Sequence, residues 1–87
     1  MKNAKLLKTG LLKGNANLYE LSEELNNSKY LIVSRADTFD HGDEVMVFPA
    51  NDKGEVISWS EEYCARSENG DDVSHEAAIR ELGYELI

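Results

Sequence analysis

Val45-Met46-Val47-Phe48-Pro49-Ala50-Asn51-Asp52-Lys53-Gly54-Glu55-Val56-Ile57-Ser58-Trp59-Ser60 is the stretch that decides the fold. Its first half is β-branched and aromatic, the composition of a central strand, and Pro49 closes it. Asn51-Asp52-Lys53-Gly54 is a turn. Asn and Asp can hydrogen-bond their own backbone, and Gly54 supplies the left-handed position of a hairpin loop. Glu55–Ser60 is then expected to return as a second strand, with Ile57 and Trp59 on one face. Trp59 reads as a core residue, and on an uncovered face it would be a binding anchor instead.

Upstream, Tyr30-Leu31-Ile32-Val33-Ser34 has the same strand composition. Residues 18–24 alternate loosely, with Tyr19 and Leu21 on one face, before Asn26-Asn27-Ser28 breaks the pattern. Residues 4–12 mix signals. Leu7 and Leu11 fit a helical spacing, whereas Thr9 and Gly10 argue against so short a helix, so a strand is favoured. Gly14-Asn15-Ala16-Asn17 reads as a turn.

Downstream, residues 61–73 read as a long acidic loop. Ser74 then starts a helix over 74–82. Ser74 is the N-cap, Glu76 suits the positive end of the dipole, and Val73 can staple onto Ala78. Ala78, Ile79 and Leu82 form the buried stripe. Gly83 suits the left-handed position after the helix, and Tyr84 can pack back on Ile79. Residues 84–87 can add a short last strand. The fold class is therefore α+β: a small, mostly antiparallel sheet of four to five strands with one C-terminal helix. The strands 30–34 and 44–48 are apolar on both faces, and one short helix covers only one. The sheet must curl into a partial barrel, or its other face must meet a partner.

The 87 residues read as a single domain, 1–87, with residues 1–16 a basic N-terminal segment. That segment holds Lys2, Lys5, Lys8 and Lys13 and no acid. Residues 36–76 hold twelve carboxylates against Lys53 and Arg66, in a chain of formal net charge −8. Such a field repels nucleic acid and anionic lipid and attracts basic surfaces. No apolar run approaches the ~20 residues of a membrane span, and none follows the lysines as a signal peptide requires. The lone Cys64 closes no intrachain disulfide and reads as a small, partly buried hydrophobe, which favours a reducing cytoplasm.

Tyr30-x-x-Val33-Ser34, Asp37, Gly42-x-Glu44, Phe48-Pro49-Ala50, Gly54-x-Val56-x-x-Trp59-Ser60-Glu61, His75-Glu76-Ala77-Ala78 and Gly83-Tyr84 form a frame over residues 30–84. This frame resembles short proteins found in bacteria and their phages. Its elements are turns, caps and core positions, so the resemblance implies a fold and no activity. Small size with strong acidity also resembles phage-encoded inhibitors such as anti-CRISPR proteins, a similarity of kind and not of motif.

No strong catalytic signature is present. Asp40-His41-Gly42-Asp43-Glu44 gathers side chains able to bind a metal or act as a base, and it reads more simply as a solvated loop turned by Gly42. His41 with His75 could build a two-histidine site, although metal-ligand spacing such as His-x-x-x-His is missing. Otherwise His75 is a first-turn surface residue facing the acidic loop. Asp37, Asp40 and Asp43 lack the alternation and central glycine of an EF-hand. No phosphate-binding glycine loop occurs, and no cofactor or metal is expected.

The remaining reading is a non-catalytic protein-binding module, an inhibitor or adaptor mimicking nucleic acid in the basic cleft of a nucleic-acid-binding protein. Its contact residues would be Asp37, Asp40, Asp43 and Glu44 on one loop, and Glu61, Glu62, Glu68, Asp71 and Asp72 on the other. Reversing Asp71 and Asp72 to lysine is expected to leave the melting temperature nearly unchanged. Two alternatives are a small-molecule or metal-dependent function centred on His41 and His75, and a homo-oligomeric module, such as a homodimer, that pairs sheet edges or the open face. Direct binding to nucleic acid or membrane is not expected.

Overall fold

A computed structural model describes residues 2–38 and 42–87, with the side chains of residues 37 and 38 left aside. Six strands are formed: β1 (Asn3–Gly10), β2 (Ala16–Leu25), β3 (Ser28–Thr38), β4 (Gly42–Ala50), β5 (Tyr63–Arg66) and β6 (Glu85–Leu86). They make one curled sheet in the order β5-β4-β3-β2-β1-β6. All neighbours are antiparallel except β6, which runs parallel to β1. The sheet is therefore mixed, and it has six strands where four or five were expected.

Residues 4–12 are strand only as far as Gly10. Leu11–Gly14 is a single helical turn in which Leu12 and Lys13 take left-handed φ of 47° and 67°. The break at Asn26-Asn27 is a two-residue hairpin loop joining Leu25 to Ser28. Both asparagines have positive φ, 49° and 69°. That backbone matches the twist of the flanking strands, and asparagine tolerates it better than other side chains do.

The turn at 51–54 forms as its chemistry dictates. Asn51 Oδ1 accepts from the backbone N–H groups of Lys53 and Glu55, each at 3.0 Å. The returning strand does not form. After a single bridge between Ala50 and Val56 the chain leaves the ladder. Ile57 N donates to Pro49 O at 3.0 Å and Glu62 N to Val47 O at 2.8 Å, so residues 57–62 arch out from the edge of β4 and come back. Tyr63–Arg66, expected within a loop, takes the edge instead. This pairing places Ala65 in the core and Tyr63 against it.

The helix His75–Glu81 lies where its signals put it. Ser74 Oγ accepts from Ala77 N at 3.1 Å. At the far end Gly83 N donates to Arg80 O (2.9 Å) and Tyr84 N to Ile79 O (3.3 Å). This pair of bonds is a Schellman closure, and it requires the φ of +91° that Gly83 adopts. Tyr84 is buried, and its hydroxyl donates to Glu23 O at 2.7 Å.

The sheet buries both faces. On one, Tyr19, Leu21, Leu31, Val33, Val45 and Val47 pack under Ala78, Ile79 and Tyr84. On the other, Leu18, Ile32 and Ala50 are covered by Leu11, Tyr30 and Val56. Phe48, also on that face through its pairing with Ile32, meets Trp59 edge-on with ring centroids 5.1 Å apart. Loops of the same chain thus cover the face that the helix cannot reach. Trp59 serves that cover from outside: it is 66% exposed and not a core residue. No helix among the described residues is long and apolar enough to cross a membrane.

Candidate functional site

The acidic residues are distributed by β4 and β5. The β3–β4 ladder runs to Thr38 and Gly42, so Asp37, Asp43 and Glu44 belong to strands and not to a loop. Asp40 and His41 lie outside the described residues. Asp37 pairs in register with Asp43, and Glu44 stands opposite Arg66 of β5.

The chain beyond β5 folds back onto this end of the sheet. Ser67–Asn69 is one 3₁₀ turn. Ser67 Oγ accepts from Asp43 N at 2.8 Å. Gly42 makes this approach feasible: its φ is +73°, and a Cβ there would collide with Ser67 Oγ. The two acidic stretches are therefore joined, bringing Asp43, Glu44, Glu68, Asp71 and Asp72 to one end. Glu61 and Glu62 lie away from that group. Glu62 sits by the β2–β3 hairpin, where Asn26 Nδ2 donates to its Oε2. Glu61 lies close enough to Cys64 to hydrogen-bond its thiol.

Many of these carboxylates hold the local structure together. Arg35 Nη2 is 2.5 Å from Asp43 Oδ2. Arg66 Nε is 2.9 Å from Glu44 Oε2, and its Nη1 is 3.7 Å from Glu68 Oε1. Asp71 Oδ2 accepts from Arg66 N at 3.2 Å, and Asp72 Oδ1 accepts from Ser74 N at 3.0 Å. The bond from Ser74 N–H, more than any other influence, holds the Asp72 carboxyl below its usual value. Asp71 and Asp72 thus brace the turn after β5 and the entry to the helix. Their reversal to lysine would remove hydrogen bonds, contrary to the expectation of an unchanged melting temperature.

Of the two histidines, His75 is described. Its Nε2–H donates to Asn15 O at 2.9 Å, tying the helix start to the turn before β2 and not to the acidic segment. Among the described residues no group of three or more His, Cys, Asp or Glu side chains is arranged to hold a metal. Cys64 is exposed, contrary to the partly buried reading. Its thiol pKa is pushed up first by partial desolvation and then by the fields of Glu44 and Glu61. A thiol held protonated is a weak nucleophile.

The N-terminal lysines and the acidic end stand apart in the sheet. Lys5 and Lys8 lie on β1, next to one edge, and Lys13 in the turn that follows. The carboxylate group lies at β4 and β5, on the opposite edge. Strand order thereby separates these lysines from the acidic end at β4 and β5, although β2 and β6 on either side of β1 carry Glu20, Glu23, Glu24 and Glu85. That separation was missed in the sequence, since it depends on strand order. No family model, curated protein or solved structure matches the chain.

Proposed function

We propose that the chain is a non-catalytic binding module whose acidic edge engages a basic surface of a partner, such as the cleft of a nucleic-acid-binding protein. The observation that carries this reading is the hydrogen bond from Asp43 N to Ser67 Oγ. It gathers Asp43, Glu44, Glu68, Asp71 and Asp72 at one end of the sheet, where Arg35 pairs with Asp43 and Arg66 with Glu44 and Glu68. Carboxylates held by a rigid strand pair keep their spacing, which favours electrostatic steering over adaptation. Glu61, exposed beside Cys64 of β5, is a further carboxylate on that side of the sheet, apart from the group. In biological terms the role is that of a bacterial or phage inhibitor or adaptor excluding nucleic acid from its binder.

The test uses Glu61 and Glu68, because Asp71 and Asp72 are needed by the fold. Basic proteins captured from a bacterial lysate at about 0.1 M salt are expected to be released at about 1 M, where the Debye length falls from about 10 to about 3 Å. The variant Glu61→Lys with Glu68→Lys is expected to lose the capture, and the intact chain to displace nucleic acid from the captured protein. Capture that survives both high salt and the double reversal would eliminate the acidic edge as the binding surface.

A further inference from the structure

The two outer edges of the sheet are finished differently. On β5, Arg66 is closed off: its N–H donates to Asp71 Oδ2 and its carbonyl accepts from Asp71 N at 3.4 Å. On the other side β6 covers β1 at Asn3 and Ala4 only. There Glu85 N donates to Lys2 O (2.9 Å) and Ile87 N to Ala4 O (3.0 Å). Alternate residues of a strand direct their backbone groups to the same side, so Leu6 continues the row of Lys2 and Ala4. Among the described residues no strand lies on the outer side of β1, the side away from β2, beyond Ala4, and residues 5–10 are all exposed.

Lysine on an edge strand is a common device against unwanted pairing, and Lys5 and Lys8 fit it. It does not account for the apolar side chains beside them. Of the six exposed large hydrophobic residues among the described residues, four lie along this edge: Leu6, Leu7, Leu12 and Ile87. Next to them is a cleft of about 200 Å³ that Lys5, Lys29, Asn3, Ser22 and Ile87 help to line, with Glu20 the one acidic residue type in that lining. Neither Lys5, Lys8 nor Lys29 has an ion pair among the described residues.

We propose that the open edge of β1 takes an extended acidic segment of a partner protein by strand addition, in line with β6, with a carboxylate of that segment in the Lys5–Lys29 cleft. The backbone groups of Leu6 supply ladder hydrogen bonds, and alternate side chains of the guest meet opposite faces. Leu6 pairs with Tyr19 on the helix-covered face, and Lys5 with Glu20 on the other. A guest alternating apolar and acidic residues matches both. A second copy of the chain is a poor occupant. Two-fold pairing of β1 with β1 sets lysine against lysine, and at β5 Asp71 occupies the outward backbone groups of Arg66. The site is separate from the acidic edge and does not depend on its role.

The probe is the blocked peptide Glu-Val-Glu-Val-Glu, titrated into the isotope-labelled full chain and followed by amide NMR, with Lys-Val-Lys-Val-Lys as its counterpart. The acidic peptide is expected to shift the amides of residues 5–10 and Ile87 and to slow exchange at Leu6, and the lysine peptide to do neither. Lys5→Glu with Lys29→Glu is expected to weaken binding by at least about tenfold. Leu6→Pro removes an outward N–H where an edge strand tolerates proline, and should abolish binding. Absence of shifts along β1 up to about 1 mM peptide would overturn the proposal. So would equal binding of the lysine peptide, shifts at β5 instead, self-association through β1, or attachment to phosphatidylserine vesicles without peptide binding.

Discussion

Arg66 on β5 and Glu44 on β4 stand directly opposite each other, with Nε 2.9 Å from Oε2. The Glu44 side chain is only 15% exposed, so its charge has little water to fall back on. The same arginine uses its N–H to hold Asp71 and lies near Glu68. One residue thus anchors the last antiparallel strand and organises the acidic end.

Removing the guanidinium should therefore affect the partner more than it affects Arg66 itself. Arg66→Gln is expected to lower the melting temperature by several degrees, because Glu44 is left poorly hydrated and unpaired. Adding Glu44→Gln should recover part of the loss. Circular-dichroism melts of the two single variants and the double variant form the cycle, and strictly additive losses would show that the pair is not coupled.

Gly42 is needed for two reasons, a left-handed φ and the close approach of Ser67 Oγ. Gly42→Ala should destabilise the chain by about 1–2 kcal/mol from the backbone alone, with a further loss from the collision. Combining it with Ser67→Ala relieves the collision and leaves the backbone cost. Urea titrations of the three variants separate the two. Equal stability of Gly42→Ala and the native chain would remove the tight joint between β4 and the 3₁₀ turn.

The helix end signals are strong enough to measure singly. Ser74→Ala loses the bond from Ala77 N and should cost about 1 kcal/mol, or about 4–8 °C in Tm for a domain of this size. Ile79→Ala empties a fully buried site and should cost about 2–5 kcal/mol. Thermal melts in which the cap variant exceeds the core variant would reverse this ranking.

Asp72 ties stability to acid pH. Its carboxyl is held low, mainly by the Ser74 N–H, so folding favours the charged form. The contribution is fully present above the ordinary aspartate value of about 4, and it is lost as pH falls through the lower folded value. Asp72→Ala should therefore lower Tm at pH 7 and differ much less from the native chain near pH 2. A gap of the same size at both pH values would contradict the assignment.

Cys64 is exposed but held protonated by partial desolvation and by the acids around it. Its reaction with a neutral thiol reagent at pH 7 should be slower than that of free cysteine, since the thiolate is the reactive form. Glu61→Gln removes one of those acids and should shift the rate profile towards lower pH. Faster reaction than free cysteine would mean that the local field has the opposite sign.

The acidic character of the functional region was legible in the residues, because charge is counted without a fold. The use made of each carboxylate was not. Asp43 finds Arg35, and Glu44 finds Arg66, only through strand register. The same holds for Asp71, whose partner is a backbone N–H five residues earlier in a turn that the sequence does not announce.

What the sequence by itself determined lies within a few residues of its cause. Asn51–Gly54 turns because Asn51 Oδ1 accepts from two N–H groups just ahead of it. The helix starts at Ser74 and stops at Gly83 because cap and left-handed glycine act on adjacent backbone. The edge of β4 was decided by the tertiary structure alone. Residues 55–60 and 63–66 both alternate, and both can reach that edge. Pairing of 63–66 buries Ala65, sets Arg66 against Glu44 and frees Trp59 to cover Phe48. Those gains come from contacts across the sheet and on its far face, so no local window of the sequence carries them.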